Sequence, residues 1–286
     1  MTIFGALGFF VFGTIIGSFL NVVILRFHTG VSLGGRSGCF SCGKKIPWHD
    51  LVPILSFLRL RGRCRSCRSK LSVQYPLVEF ITGLLFLGVF FKYVSSFSFL
   101  SEFYTLYSLF YLDLAVLSLL VVIAVYDLRH KIIPDLLVFL FGAMSLVRLF
   151  ISSVIFTSPH FPNALDLLAG PVLALPIAFL WFVSGGKWIG LGDAKLALGI
   201  GWFLGFSLGV SALVLGFWFG AIVGVFLICL SKLSDFRLFY RLLLKVGGRR
   251  LTMKSEIPLA PFLILGLLVA YFFRIDVVGL SSLVIL

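Results

Sequence analysis

The sequence predicts an all-α membrane protein with about eight transmembrane helices and a small zinc-ribbon-like loop on the cytoplasmic side. The first observation is composition: 60% of the 286 residues are hydrophobic and only 12% are charged. A soluble domain carries about a quarter charged residues, so this chain lacks the polar surface that a water-soluble globule needs. The second is that apolar runs of about 20 residues recur, the length that a helix needs to cross a bilayer.

Eight apolar runs are candidate membrane spans. The first has no basic residues before it and no small-residue cleavage pattern after it, so we interpret it as a retained helix rather than a secretory signal. We divide the chain into a first transmembrane helix (1–25), a cytoplasmic loop (26–75) and a polytopic membrane domain (76–286). The predicted spans are 3–25, 76–94, 104–126, 132–152, 164–184, 193–206, 208–231 and 258–274.

The distribution of basic residues predicts the orientation of these spans. If the 26–75 loop is cytoplasmic, alternation of the spans places 21 of the 24 Lys and Arg residues on the cytoplasmic side. Loops rich in Lys and Arg remain in the cytoplasm. The net charge of +13 is therefore explained by orientation and by contact with anionic lipid, and no nucleic-acid partner is expected.

Four cysteines in the 26–75 loop form two Cys-x-x-Cys pairs separated by 21 residues, Cys39 with Cys42 and Cys64 with Cys67. This spacing is typical of a four-thiolate zinc ribbon. Two disulfides are the alternative, but a cytoplasmic loop lies in a reducing compartment. We expect neighbouring basic residues to favour the thiolate forms. Because four sulfur ligands leave no open position for water, a bound Zn²⁺ would be structural.

Two aspartates lie at the predicted cytoplasmic edge of the membrane, Asp127 at the end of the third span and Asp193 at the start of the sixth. Acidic residues at membrane level are costly and usually functional. Two carboxyls that lie close together share one proton. The ionised member can then deprotonate a water while the protonated member polarises a peptide carbonyl. Taken singly, each aspartate could equally be a helix cap or pair with a neighbouring cation; as a pair at matched depth, they indicate aspartic proteolysis.

Further residues are candidates for supporting this site. Gly190 and Gly192 precede Asp193 and would permit an irregular turn and close approach of a substrate backbone. Asp135 could be a cap or a substrate contact. Three acidic residues at cytoplasmic edges could receive basic residues of a substrate: Asp50, Glu79 and Glu256.

Taken together, the motifs resemble those of the bacterial type IV prepilin peptidases, which are GxGD-type membrane aspartic proteases. The resemblance covers almost the whole chain, and the order and spacing of the motifs are more specific than any one of them. The motifs are Gly17-Ser18-Phe19-Leu20-Asn21-Val22, the tetracysteine loop with Ile46-Pro47-Trp48, Leu60-Arg61-Gly62-Arg63-Cys64, Tyr75-Pro76-Leu77-Val78-Glu79, Asp127 with Ile133-Pro134-Asp135, Gly190-Leu191-Gly192-Asp193-Ala194-Lys195-Leu196, and Ile257-Pro258-Leu259-Ala260-Pro261-Phe262.

The resemblance implies an inner-membrane endopeptidase whose active site faces the cytoplasm, with Asp127 and Asp193 as the catalytic pair and Lys195 among the supporting residues. Its substrates would be prepilins or type II secretion pseudopilins, cut after a Gly that follows a short basic leader. The resemblance also implies N-methylation of the new N-terminus with S-adenosylmethionine, although the sequence contains no glycine-rich fingerprint for that cofactor.

Two other classes of function compete with this interpretation. A transporter could use Asp127 and Asp193 as proton or cation sites, but it would be expected to contain paired broken helices in two related halves. The sequence contains one convincing interruption, at 185–192. A membrane-tethered zinc-ribbon adaptor would instead place the function in residues 36–70 and leave the aspartates dispensable.

Overall fold

The computed structural model describes residues 2–30, 32, 34–94, 103–156, 162–232 and 258–279. In these ranges the regular structure is helical, and the β pairing consists of two isolated bridges in the loop after the first helix. The described α-helices are α1 (Thr2–Arg26), α2 (Leu55–Arg59), α3 (Gln74–Val94), α4 (Phe103–His130), α5 (Asp135–Phe156), α6 (Ala164–Ser184), α7 (Leu191–Leu204), α8 (Phe206–Lys232) and α9 (Ala260–Phe273).

A helix occupies each of the eight predicted spans. Six of them, α1, α3, α4, α5, α6 and α8, are long and apolar enough to cross a membrane. The sixth and eighth predicted spans are shorter than the others, because α7 and α9 contain 14 residues each. At 1.5 Å per residue such a helix is about 21 Å long, less than the ~30 Å of a hydrocarbon core. The fold is therefore that of a polytopic membrane protein.

The chain divides into two compact units, one formed by residues 1–126 and 150–161, the other by 127–149 and 162–286. In the first unit, α1 packs closely along α3. A Cβ atom on Gly13 would lie 2.8 Å from the Cα of Gly83, and one on Gly17 would lie 2.7 Å from the Cα of Glu79. Small residues spaced four apart let two membrane helices approach backbone to backbone, which explains this pairing.

The second unit contains both short helices and uses the same device. A Cβ atom on Gly201 of α7 would lie 2.5 Å from the backbone oxygen of Ala169 in α6, and one on Gly216 of α8 would lie 2.8 Å from the Cα of Leu263 in α9. The indole Nε1 of Trp202 donates to the backbone oxygen of Leu167 at 2.9 Å. Glycine and tryptophan thus hold the last turn of α7 against the first turns of α6.

Two glycines of α1, Gly13 and Gly8, differ in whether α3 leaves room for a side chain, and alanine substitutions test this difference. Gly13→Ala should lower the free energy of unfolding by about 1–3 kcal/mol, because the added methyl overlaps the α3 backbone. Gly8→Ala is the matched control: nothing lies within 4 Å of a Cβ atom built there, so its stability should stay within about 1 kcal/mol of the parent. Thermal unfolding of both variants in the same detergent measures the difference, and equal stabilities would contradict the packing described for α1 and α3.

Candidate active site

Asp127 lies in the last turn of α4 and is 4% exposed. Its carboxylate accepts a hydrogen bond from the backbone N–H of Ala260, the first residue of α9. The helix ends soon after Asp127, where Lys131 adopts a left-handed backbone with φ of 55°. The start of α9 therefore holds the Asp127 carboxylate at the end of α4.

Asp193 lies in the first turn of α7 and is 8% exposed. Gly190 is the N-cap of α7, and its N–H donates to the Asp193 carboxylate. An acidic side chain three residues into a helix can reach back in this way to the capping residue. The other oxygen, Oδ1, is buried and has no hydrogen-bond partner among the described residues. Buried polar atoms are rarely left unpaired, so Oδ1 is available to a water or a substrate group.

The two predicted aspartates lie in one unit and interact. Asp127 is close enough to Asp193 to act on it electrostatically. Both carboxylates are buried, and each has one backbone donor from the start of a helix. The arrangement combines two interacting carboxyl groups with an unpaired oxygen, which is the chemistry needed to hold and deprotonate a water.

Close packing sets the position of α7 against the segment that follows Asp127. A Cβ atom on Gly192 would lie 2.9 Å from the Cβ atom of Ile133, so a side chain at 192 would push the two segments apart. Lys195 Nζ donates to Asp135 Oδ1 at 2.6 Å and lies 5.1 Å from the centre of the Phe139 ring. Gly192 and Lys195 therefore both connect α7 to the start of α5.

The other acidic residues proposed for substrate contact have partners of their own in the first unit. Asp50 receives two hydrogen bonds from Arg65, at 2.6 Å from Nε and 2.5 Å from the terminal nitrogen. These hydrogen bonds lower the pKa of the Asp50 carboxyl. Glu79 accepts the N–H of Ile54 at 2.8 Å and a hydrogen bond from Ser18.

Glu256, the third of these residues, lies outside the described residues. The role in substrate contact stays a prediction for all three carboxylates. Asp50 and Glu79 could take up a basic leader only in competition with the partners described above.

The four predicted metal ligands come together in the first unit. The Sγ atoms of Cys39, Cys42, Cys64 and Cys67 all lie within 4.8 Å of one another, and those of Cys39 and Cys67 are 3.8 Å apart. Four sulfurs at 2.3 Å around a tetrahedral ion are separated by about 3.8 Å. The four thiols are free in the structure rather than joined as disulfides, so the cluster can hold a metal ion.

Each Cys-x-x-Cys pair forms the same turn. The N–H of Cys39 donates to Lys44 and that of Cys64 to Ser69. The residue four positions after the first cysteine has a left-handed backbone in both turns, with φ of 69° at Gly43 and 56° at Arg68. Two matching turns thus present two sulfurs each to one centre.

Backbone amides in these turns set the protonation of the thiols. Hydrogen bonds from the amides of Cys42 and Ser41 lower the pKa of Cys39 to about 6. A hydrogen bond from Lys44 favours the Cys42 thiolate, but burial and the neighbouring Cys39 and Cys67 thiols outweigh it and raise the pKa of Cys42 to about 11. The sequence led us to expect the neighbouring cations to favour the thiolates. The structure instead assigns the effect at Cys39 to the geometry of the turn.

Sequence reasoning missed two contributors to the site. One is the Ala260 N–H, and the other is Ile133, whose side chain meets Gly192. The segment around Ala260 carries the signal of Pro258 and Pro261 at the start of an apolar run, which indicates a helix start but not what that start contacts. Neither contact involves a side chain of recognisable chemistry.

Comparison with known proteins agrees with this architecture. The Bacterial Peptidase A24 N-terminal domain matches residues 11–93, and the Type IV leader peptidase family matches residues 114–225. Among curated proteins, a "Prepilin leader peptidase/N-methyltransferase" of Myxococcus xanthus is 34% identical over 77% of this chain and 62% of its own length. Proteins of the same name from Bacillus subtilis and Pectobacterium carotovorum are 28% and 32% identical, over 94% and 71% of this chain and 95% and 76% of their own lengths. No solved structure matches the chain.

The chain belongs to the type IV leader peptidase family. This confirms the resemblance found in the sequence and makes the chain a multi-pass bacterial membrane peptidase. The transporter and adaptor interpretations are set aside on the same evidence.

Gly192 provides a test of the packing that positions α7. Gly192→Ala should lower kcat for leader cleavage by on the order of 10–100-fold, because the added methyl displaces the start of α7 from Ile133 and small displacements of catalytic groups are costly. The matched control is Gly142→Ala in α5, where a Cβ atom would lie 3.7 Å from Leu198 in ordinary contact. Steady-state cleavage assays on both purified variants decide the question. A fully active Gly192→Ala enzyme would show that the contact does not position the site.

Proposed function

We propose that Asp127 and Asp193 are the catalytic pair of this peptidase. The proposal rests on the Oδ1 atom of Asp193, which is buried and has no hydrogen-bond partner among the described residues. The same carboxylate interacts with the buried carboxylate of Asp127. A buried oxygen without a partner is explained if a water or a substrate group forms a hydrogen bond with it during turnover.

The mechanism uses the two carboxyls as one acid–base unit that shares a proton. The ionised carboxylate removes a proton from a water, and the hydroxide so formed attacks the scissile carbonyl carbon. The protonated carboxyl donates a hydrogen bond to the carbonyl oxygen. When the tetrahedral intermediate collapses, the C–N bond breaks and the protonated carboxyl gives its proton to the leaving amine. The N–H groups of Ala260 and Gly190 hold the two carboxylates in place throughout.

The substrate of this site is a prepilin or type II secretion pseudopilin with a short basic leader, cut after a Gly next to its apolar segment. The names of the relatives and the residues at the site support this proposal. The active site faces the cytoplasm of the inner membrane, because the orientation that keeps most Lys and Arg residues inside also puts Asp127 and Asp193 there.

The second activity in the relatives' names is methylation. We extend it to this chain as N-methylation of the newly exposed N-terminus, with S-adenosylmethionine as the methyl donor. No residue of the chain is assigned to the donor, because the sequence contains no Gly-x-Gly-x-x-Gly fingerprint for such a cofactor.

The metal held by the tetracysteine cluster is zinc. Four thiolates at tetrahedral spacing suit Zn²⁺, and a site without an open position gives the ion a structural role. Cys39, Cys42, Cys64 and Cys67 would bind it and thereby join the two turns of the loop.

Replacing either aspartate tests the catalytic proposal. Asp127→Asn and Asp193→Asn should each reduce leader cleavage by at least about 10²–10⁴-fold, because the amide cannot exchange a proton with water. The assay is incubation with a prepilin that carries a basic leader, followed by mass spectrometry of the new N-terminus, which reports cleavage position and methylation together.

Asp166→Asn is the matched control, since Asp166 lies in the first turn of α6 and not beside the pair. This variant should cleave at the parent rate. Variants must also insert at parent levels, shown by membrane fractionation. Normal cleavage by either Asp127→Asn or Asp193→Asn would rule out the proposed pair.

Zinc content can be measured directly. The purified protein should carry one zinc ion per chain, and replacing all four cluster cysteines by serine should remove it and lower the temperature of unfolding, because a structural ion contributes folding free energy. Cys229→Ser is the control: Cys229 lies in α8 and its loss should leave zinc unchanged. Elemental analysis that finds zinc in the quadruple variant at parent levels would contradict the assignment.

A further inference from the structure

The cytoplasmic loop carries an apolar surface that its own packing does not cover. Leu51, Leu55 and Leu58 recur at helical spacing through α2 and the turn before it, and Trp48 and Val52 lie beside them in sequence. Trp48 is 77% exposed, Leu55 65% and Leu58 64%. We call these five residues the 48–58 patch.

The opposite side of the same segment already contacts the loop. Ile54 and Phe57 are partly buried, and a Cβ atom on Gly62 would lie 3.0 Å from the Phe57 ring. The segment is therefore apolar on both sides, and among the described residues only the side of Ile54 and Phe57 is packed within the unit. Exposed apolar patches of this kind mark a surface that binds something.

A hydrogen bond fixes the depth of the patch in the membrane. The N–H of Ile54 donates to Glu79 Oε2 at 2.8 Å, and Glu79 is the sixth residue of α3, so it lies more than one helical turn inside a membrane-length helix. Its neighbours Leu77 and Phe80 are exposed on α3, as expected of residues that face lipid. The backbone at Ile54 therefore lies level with lipid-facing residues of α3.

The backbone of Ile54 is strained, which indicates that its hydrogen bond to Glu79 is a fixed part of the fold. Ile54 has φ of 61° and ψ of −52°, a positive-φ conformation outside the allowed regions that a β-branched residue rarely adopts. Such a conformation persists only when the surroundings over-determine it. The Glu79 hydrogen bond supplies that constraint and attaches the residue before α2 to α3.

Basic residues flank the patch in sequence. Arg59 and Arg61 follow it directly, and Lys44 and Lys45 precede it; all four are exposed. Clusters of this kind beside an apolar surface are typical of segments that lie in the headgroup layer of anionic membranes. An aromatic residue such as Trp48 is also favoured at that interface.

We propose that the 48–58 patch inserts into the headgroup region of the anionic leaflet on the side of the 26–75 loop, with Arg59 and Arg61 contacting lipid phosphates. The loop is then attached to the membrane through this patch, and the first cysteine turn stays exposed to water. This inference does not depend on the catalytic proposal.

Fluorine NMR of the full-length protein in lipid nanodiscs tests it. The chain is labelled with 5-fluorotryptophan, and the Trp48 resonance is assigned by its loss in Trp48→Phe. Relaxation agents are then added in two forms, lipids with a nitroxide at the headgroup and a water-soluble gadolinium chelate. Trp218 in α8, which is exposed on a membrane-length helix, reports contact with lipid in the same spectrum.

A tryptophan elsewhere in the loop gives the matched control. Phe40 is 81% exposed in the first cysteine turn and is not part of the patch, so Phe40→Trp combined with Trp48→Phe places a reporter on a neighbouring surface of the same loop. We expect the headgroup nitroxide to remove most of the Trp48 signal and the gadolinium chelate to remove most of the signal at position 40. The loss at Trp48 should be greater in anionic than in zwitterionic nanodiscs.

Three outcomes would overturn the proposal. Loss of the Trp48 signal to gadolinium but not to the nitroxide would show a patch in water. Resistance to both agents would show that protein, from this chain or a second copy, covers the patch. Equal loss in anionic and zwitterionic nanodiscs would contradict the role given to the basic residues.

Discussion

Two carboxylates at membrane depth have to be held without the help of bulk water, and the second unit is organised around that constraint. A buried carboxylate needs hydrogen-bond donors, and the start of a helix offers unpaired N–H groups together with a favourable dipole. The donor is the capping residue of α7 for Asp193 and the first residue of α9 for Asp127. Among the described helices at predicted spans, these are the two shortest. Because α7 and α9 each begin beside a buried carboxylate, both are shorter than the helices that are long enough to cross a membrane.

The features that the sequence predicted well are those that depend only on the order and spacing of residues along the chain. Apolar runs locate helices because the bilayer fixes their length, and a helix was found at each predicted position. The cysteine cluster was predictable because two short spacings determine which sulfurs can share a centre. The depth that the Lys and Arg residues predict for Asp127 and Asp193 stays a prediction, but the structure does bring the two residues into one unit.

The remaining features depend on contacts between segments that are distant in sequence. Backbone groups, rather than side chains, make many of these contacts. The donor to Asp127 is an N–H, which every residue except proline has, so nothing about Ala260 marks it as a partner. The contact between Gly192 and Ile133 depends on an absent side chain. Asp50 and Glu79 show the converse problem. Their chemistry was visible in the sequence, but Arg65 and the Ile54 amide, which now occupy them, were not predictable as neighbours.

The two cysteine turns are alike in geometry but unequal in the residue that each places at its left-handed position. Glycine adopts that conformation without steric cost at 43, whereas the side chain of Arg68 crowds the backbone at the equivalent point. If the cluster loses a bound ion, the second turn can release this strain by changing its backbone conformation, whereas the first turn has no such strain to release.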